Sequence, residues 1–421
     1  MFVAAEQFVD KLLTQEAMEE PCDKVKPEEL TLELPEWFDE KKFNQARRFY
    51  WDHCFMFSTS MLIGLVAVFA IPSILKVLVG SRRSSSLYTA YRRYLSTLLH
   101  TVSWFEHELK PNSISWKSLY AVRSRHLRAS LASKLKDEGI VSQRDIALTQ
   151  FGFIGFSVLK PDRFGIRQMQ PGDWEAYNHF WKTIGFMIGL EDRYNICRNT
   201  IEETRQVCQL LLERVFTPCL ENVPEYYEHM ARVMLDGFWT VNPAVNEDAV
   251  LYFTRYLADV PGYIYTENDR ITFQRKLKAQ LKDKPESTGV DSTTLICKAE
   301  VKGLPERSPR LLYLHNYDSI ESVPEYKQIS WWSKYKLGLA FLVSHWYSFY
   351  LGRLYFNLNF LCSLIFMKYF PYVAFFRFGI KASLIDLFVE SPADNTKPKV
   401  NAEYNKKNSR PWYISWLTIL W

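Results

Sequence analysis

The stretch LYTAYRRYLSTLLHTVSWFEHELKPNSISWKSLYAVRSRHLRASLASKL, residues 87–135, decides the fold. Its apolar residues recur with a helical period, and the pattern breaks at Lys110-Pro111-Asn112, where proline and asparagine favour a turn. The pattern predicts one helix over about 87–109 and a second over about 115–135. Two helices joined by so short a turn are expected to pack against each other as a hairpin.

The hairpin carries an unusual set of polar side chains. Arg93 and Thr97 are four residues apart, so they lie on one face of the first helix. His126 lies on the second helix, flanked by three arginines: Arg123, Arg125 and Arg128. A hairpin that brings these groups around a cavity would offer an imidazole for iron and guanidinium groups for two carboxylates, which is the set of groups that haem requires.

Two other interpretations of this stretch stay open. A histidine among arginines is more often part of a solvated helix face than a metal ligand. The run VRSRHLR, residues 122–128, could also be a basic patch for nucleic acid, but no aromatic side chains for base stacking are interleaved with it. Because the net charge of the chain is only +5, we expect no nucleic-acid partner.

The rest of the chain also favours helices. Aromatic residues make up 16% of its 421 residues and glycines number only 16, which argues against a turn-rich β-sandwich. Ser142-Gln-Arg-Asp145 is a capping-box-like helix start. Helical patterns follow over 173–187, 195–217, 224–236 and 244–258, and no convincing strand pattern is found. The sequence therefore predicts an all-α fold.

Three cysteines, Cys197, Cys208 and Cys219, follow one another at intervals of eleven residues. Eleven residues are about three helical turns, so the three thiols are expected on one buried helix face. Thiols on one helix at this spacing lie about 16 Å apart and cannot meet on one ion. We therefore expect packing, rather than metal binding, from these cysteines.

Two segments are apolar enough to interact with a membrane. Phe55–Leu75 has no charged residue over 21 positions, which is about 31 Å of helix and enough to cross a bilayer core. A membrane-embedded helix and a fully buried core helix are both open for it. The segment 337–378 is rich in aromatics, with fourteen between His345 and Phe378. This favours helices in the membrane interface or a re-entrant pair, with a tilted span or a docked soluble element as alternatives.

Five segments of the sequence resemble one protein family. They are LPEWFDEKKF (34–43), AYRRYLST (90–97), VRSRHLRAS (122–130), SQRDIALTQFGFIGF (142–156) and HFWKTIGFMIGLEDRYNIC (179–197). In content and order they resemble the family of latex-clearing rubber oxygenases and the endoplasmic-reticulum-bound oxygenase of mycophenolic acid biosynthesis. The resemblance is greatest to animal members of that family, notably those of insects.

The resemblance implies an all-α, globin-related helical bundle around a haem pocket. It implies haem b as cofactor and a haem-dependent oxygenase that oxidises or cleaves an apolar isoprenoid or unsaturated lipid with O2. By its match to the family motif, His126 is expected to be the iron ligand. Arg93 and Thr97 are expected to lie in the pocket as catalytic and cofactor-binding residues, and Arg123 to bind the cofactor. A membrane location, in the endoplasmic reticulum, is also expected.

The sequence departs from the family at two points. Latex-clearing enzymes carry a Lys before the Thr that can close the distal iron position, whereas this chain has Ser96. Serine cannot reach iron in the same way, so an open or water-bound distal site is expected. His100 and His107 are weaker distal candidates. His179 is expected to pack in the core, with orientation of its own helix as the alternative. The family's catalytic carboxylate has no match near Val77.

Because of these departures, two alternatives remain. One is a membrane-associated haem-binding or interaction protein without turnover, and the other is a haem-free membrane scaffold. The predicted organisation is an N-terminal acidic helix and loop over 1–35 and a catalytic domain over 36–280. A linker follows over 281–310, then hydrophobic C-terminal helices over 311–390 and a basic tail over 391–421.

Overall fold

The computed structural model describes residues 2–136, 139–243, 245–260 and 323–405. Within these ranges the protein is all-helical and contains no strand, as predicted. The helices are α1 Phe2–Leu12, α2 Gln15–Glu19, α3 Glu40–Asp52, α4 Cys54–Val68, α5 Pro72–Gly80, α6 Leu87–Glu106, α7 Ile114–Leu135, α8 Gln143–Leu159, α9 Asp173–Met187, α10 Ile201–Leu211, α11 Thr217–Glu221, α12 Tyr227–Trp239, α13 Glu247–Leu257, α14 Pro324–Gln328, α15 Trp331–Tyr347, α16 Tyr350–Tyr369, α17 Tyr372–Phe378 and α18 Ile380–Ser383.

The predicted hairpin forms from α6 and α7, which pack against each other. Each helix begins at a serine cap, as the first unpaired N–H groups of a helix require. The Ser86 side chain accepts from the Thr89 amide, and that of Ser113 accepts from the Trp116 amide. The capping box at the start of α8 is confirmed, because Ser142 and Asp145 bond reciprocally.

The uninterrupted helix over 55–75 is not observed. α4 ends at Val68, and α5 begins at Pro72, whose fixed backbone angle suits the first helical turn. α4 is enclosed by protein and packs on α8 so closely that a Cβ on Gly64 would lie 1.8 Å from the Gly152 carbonyl oxygen. Of the two alternatives, the buried core helix is therefore the one observed.

The helix expected over 195–217 begins later, at Ile201, where Thr200 caps α10. A π-helical turn, Leu212–Phe216, connects it to α11. Cys197 consequently lies before the helix rather than on a shared face with Cys208. All three thiols are buried and free, and burial raises the pKa of Cys219 to about 12. The prediction that these cysteines serve packing is consistent with this burial.

The C-terminal helices differ from the rest of the fold in exposure. α15 and α16 pack against each other, α15 also contacts α13 and α16 contacts α4, and much of the outer apolar surface of the two helices is exposed. Within the described residues, Tyr350–Phe378 is long and apolar enough to cross a membrane, and the α3–α4 pair, bent by 93°, passes the same test only as one broken span. The predicted linker 281–310 lies outside the described residues, as does the tail beyond Asn405.

Candidate functional site

A cavity of about 650 Å³ lies behind the α6–α7 hairpin. α4 and α5 close one side and α8 and α9 the other, and residues 390–393 contribute from the C-terminal end of the chain. The apolar part of its wall is formed by Leu65, Val68, Phe69, Ile74, Val77, Leu78, Val122, Ile146, Phe153, Trp181, Ile184 and Ile188. The cavity is large enough for a cofactor or a lipid-sized ligand.

His126 lies in the wall of this cavity. Its Nδ1 atom is buried without a hydrogen-bond partner. Burial, together with the nearby charges of Arg93 and Arg125, lowers the pKa of His126 to about 4. The imidazole is therefore neutral at pH 7, which is the form that binds metals.

Arg93 and Thr97 also line the cavity, on the face of α6 that the sequence predicted. The Arg93 Nη1 atom donates to Ser81 Oγ and Ser84 Oγ, both at 3.0 Å. Thr97 Oγ1 donates to the Arg93 carbonyl oxygen at 3.1 Å. The structure thus brings three of the four predicted site residues to one cavity.

Arg123 is the fourth predicted residue, and the structure places it elsewhere. It does not line the cavity, and its Nε donates to Asp23 Oδ2 at 2.6 Å in a largely buried ion pair. Arg125 and Arg128 line the cavity instead. Arg125 donates to the Leu387 carbonyl oxygen at 2.7 Å, which ties α7 to the C-terminal segment 384–396.

Two more side chains of α6, Ser96 and His100, line the cavity beside Thr97. Ser96 is buried in the wall and its Oγ has no partner. His100 uses both ring nitrogens: Nε2 lies 2.9 Å from Arg125 Nη1 and Nδ1 lies 2.7 Å from Ser118 Oγ. Because a guanidinium only donates, His100 Nε2 accepts and its Nδ1–H donates to Ser118.

The other two histidines of the sequence analysis lie outside the cavity. His107 is the C-terminal cap of α6, next to Glu106 at the surface. His179 Nε2 accepts from the backbone N–H of Asp39, the N-cap of α3, at 3.0 Å. His179, which lies on α9, therefore helps to position the start of α3 rather than its own helix.

Two carboxylates that no sequence pattern assigned to the site, Asp145 and Glu390, also line the cavity. Asp145 accepts from Ser73 Oγ at 2.7 Å. Glu390 forms an ion pair with Arg83. Burial alone would raise the pKa of Glu390, but its hydrogen bond to Arg83 and the charges of Arg83, Arg128 and Arg125 hold that pKa below its ordinary value.

The donor set of this cavity fits haem. A neutral imidazole with an unsatisfied buried nitrogen could hold the iron, and the wall is mainly apolar. The cations that line the cavity offer partners for two carboxylates: Arg82, Arg83, Arg93, Arg125, Arg128 and Lys136. Among the described residues no cluster of three or more His, Cys, Asp or Glu could hold a bare metal ion.

Comparisons with known proteins give little beyond the fold. No family model and no curated protein matches the sequence. Among solved structures, the chain is similar to latex clearing protein LCP in the closed state, with 16% sequence identity and a TM-score of 0.42. The match covers 79% of this chain and 84% of that chain. So distant a likeness identifies neither a family nor an activity.

Proposed function

We propose that the protein is a haem-b-dependent oxygenase that oxidises or cleaves an apolar isoprenoid or unsaturated lipid with O2. The observation that carries the proposal is the neutral His126 imidazole, whose buried nitrogen lacks a partner in the wall of a large, mainly apolar cavity. When bound, the haem iron would supply O2 binding and activation. A globin-related arrangement of the helices and a location at the endoplasmic reticulum membrane belong to the same proposal.

The side chains of this protein would each make a separate contribution. His126 would hold the iron and stay neutral at every pH above about 5, because its pKa is lowered to about 4. The cations of the lining would bind the two carboxylates of the cofactor by charge-assisted hydrogen bonds. Phe69, Phe153 and Trp181 would exclude water from the cofactor faces.

Ser96 and His100 of α6 would leave the iron accessible to an external ligand. Ser96 replaces the lysine of the family pattern, and a hydroxyl is a poor iron ligand. Since both ring nitrogens of His100 are already hydrogen-bonded, this side chain would have to break two bonds to reach iron. We therefore expect external ligands such as imidazole or cyanide to bind the ferric protein without displacing a side chain.

A second candidate function, haem binding without turnover, is favoured by the state of the two carboxylates in the lining. Asp145 accepts from Ser73 and Glu390 pairs with Arg83. A carboxylate engaged in this way is a weak general base. The membrane and the lipid are partners in both candidate functions.

The test is an absorption spectrum of the full-length protein purified in detergent and supplied with haem b. We expect a Soret band at one haem per chain, which His126→Ala abolishes while the far-ultraviolet circular dichroism stays helical. His107→Ala is the matched control, since His107 lies outside the cavity, and it should retain the full band. Full haem content in His126→Ala would refute the assignment, and a wild-type protein without a band would leave the haem-free scaffold.

Oxygen consumption separates the two remaining functions. With haem bound and a reductant present, a polyprenyl substrate should accelerate O2 uptake and yield carbonyl products. Haem-loaded protein that consumes no O2 with polyprenyl or polyunsaturated substrates would favour the binding protein.

A further inference from the structure

A second cavity, of about 470 Å³, lies beside the His126 cavity. Its wall includes residues of α4, α6, α8, α13, α15 and α16. Its wall is mainly apolar, with Leu62, Leu98, Val250, Phe253, Val343 and Phe360 among its members. Lys336 is the one charged side chain among the described residues of this lining. Such a wall accommodates hydrocarbon far better than a polar ligand.

The two cavities share part of their walls. Five residues line both of them: Leu65, Tyr94, Thr97, Thr149 and Phe153. They come from α4, α6 and α8, the helices that also surround His126. A ligand in the second cavity would therefore be separated from the first by single side chains, and Thr97 is one of them.

The mouth of the second cavity lies at the exposed apolar surface of α15 and α16. Leu342, Trp346 and Tyr355 line the cavity and are also exposed. On the outer side of α16 an apolar stripe continues from this mouth, at positions 351, 354, 358, 361 and 365. A molecule that enters here would pass from one apolar environment into another, and no charged collar surrounds the opening in the described lining.

We propose that the second cavity binds one hydrocarbon chain of a membrane lipid, which enters between α15 and α16 and extends to the wall shared with the His126 cavity. The apolar path is continuous from the exposed stripe through the mouth to the shared wall. This continuity favours an occupant that enters as a hydrocarbon chain from a lipid surface. This inference rests on the proposed function only for the later oxidation of the bound hydrocarbon chain. Binding itself requires neither haem nor turnover.

The experiment is photo-crosslinking in membranes. Full-length protein is reconstituted in phosphatidylcholine vesicles that contain a phospholipid with a diazirine on one acyl chain, and the labelled peptides are mapped after irradiation. We expect label on Leu65 or Phe153 of the shared wall as well as on the outer stripe of α16. Label confined to the outer stripe would overturn the proposal.

Ala340 and Gly338 provide a matched pair of variants on α15. Ala340 lines the cavity, whereas Gly338 is exposed and an added Cβ there meets nothing within 4 Å. Ala340→Trp should reduce labelling of the shared wall at least tenfold, and Gly338→Trp should leave it at the wild-type level. Labelling of the shared wall that is unchanged in Ala340→Trp would contradict a chain inside the cavity.

Two further measurements keep the outcome decisive. If Ala340→Trp loses its helical circular dichroism, Ser363→Phe, on the α16 side of the same cavity, replaces it with the same expected tenfold reduction. His126→Ala should label like the wild type, because the chain site does not depend on the cofactor. If the wild-type protein shows shared-wall labelling but binds no haem, the proposed oxygenase is refuted and the lipid site is established.

Discussion

Arg93 and Arg123 show how far single residues could be predicted from the sequence. On a helix each residue turns by about 100°, so relative to His126 the positions of Val122 and Ala129 lie about 40–60° to one side and that of Arg123 about 60° to the other. The cavity is lined by Val122 and Ala129. Once the side of α7 that faces the cavity is known, these angles place Arg125 in the lining and Arg123 outside it. The sequence alone contains the angle but not the side on which α6 packs.

The first residue-scale prediction compares Arg93 with Arg123. Arg93→Ala should weaken haem binding by about 1.5–3 kcal/mol, because a charge-assisted contact in the cavity is lost. That corresponds to roughly a 10- to 100-fold higher dissociation constant. Arg123→Ala is the control, since Arg123 pairs with Asp23 outside the cavity. Haem titration of the two variants measures the difference, and equal affinities for haem would remove Arg93 from the site.

The second residue-scale prediction concerns pH. His53 is buried, its Nε2 donates to the Arg167 carbonyl oxygen, and burial followed by the charge of Arg353 lowers its pKa to about 4. The unfolded chain has a histidine pKa of about 6.5, so between pH 6.5 and 4 the unfolded state binds more protons. The stability associated with the neutral ring is complete above pH 6.5 and is lost as the pH falls towards 4.

At pH 5 this loss is on the order of 2 kcal/mol for His53. The free energy of unfolding is measured with denaturant at pH 7 and at pH 5. Between these pH values His53→Gln should lose less unfolding free energy than the wild type, whatever its stability at pH 7. His107→Gln, at the surface, should follow the wild-type dependence on pH. If His53→Gln and the wild type lose the same free energy between the two pH values, His53 is not buried in its neutral form.

At the scale of elements, the helices were predictable where local chemistry sets them. The side chains of three serines cap the starts of α6, α7 and α8: Ser86, Ser113 and Ser142. The helical period of the apolar residues then indicates how far each helix continues. The break between α4 and α5 was harder to predict. Hydropathy treats 55–75 as one apolar segment, and only Pro72 indicates that a new helix begins there.

The element-scale prediction tests the contact between α4 and α8. Gly64→Ala would place a Cβ 1.8 Å from the backbone oxygen of Gly152. Since neither backbone can yield without separating the helices, we expect a loss of about 3 kcal/mol or more in unfolding free energy. Gly338→Ala, with open space around it on α15, should be neutral or stabilising by up to about 1 kcal/mol. Thermal unfolding compares the two, and an unchanged midpoint in Gly64→Ala would contradict the close packing.

At the scale of the whole molecule, the site is completed by distant parts of the chain. Glu390 and Ala393 line the cavity of His126, more than 260 positions earlier in the sequence. The C-terminal segment 384–396 is held there by Arg125, Arg83 and the backbone of Arg82. No periodic pattern encodes such a contact, because it depends on where α15 to α18 pack. For this reason the sequence predicted the hairpin half of the site and missed the part that closes it.

The same C-terminal helices determine where we expect the protein to reside. Because α4 lies in the core, we expect α15 and α16 to be the helices that contact a membrane. In their outer stripe, Leu354 is 54% exposed and Leu358 is 58% exposed. An exposed apolar stripe of this length marks an interaction with a membrane or a partner. The full-length protein should therefore pellet with membranes and resist extraction by high salt.

The variant Leu354→Asp/Leu358→Asp should move the protein into the supernatant, since two carboxylates on the stripe would have to be desolvated in the membrane. Leu131→Asp/Leu135→Asp is the matched control: these leucines of α7 are 43% and 89% exposed but lie far along the chain from the stripe, and this variant should still pellet. Fractionation followed by flotation on a density gradient distinguishes membrane binding from aggregation, because aggregates do not float. A wild-type protein that neither pellets nor floats would contradict binding of the stripe to a membrane.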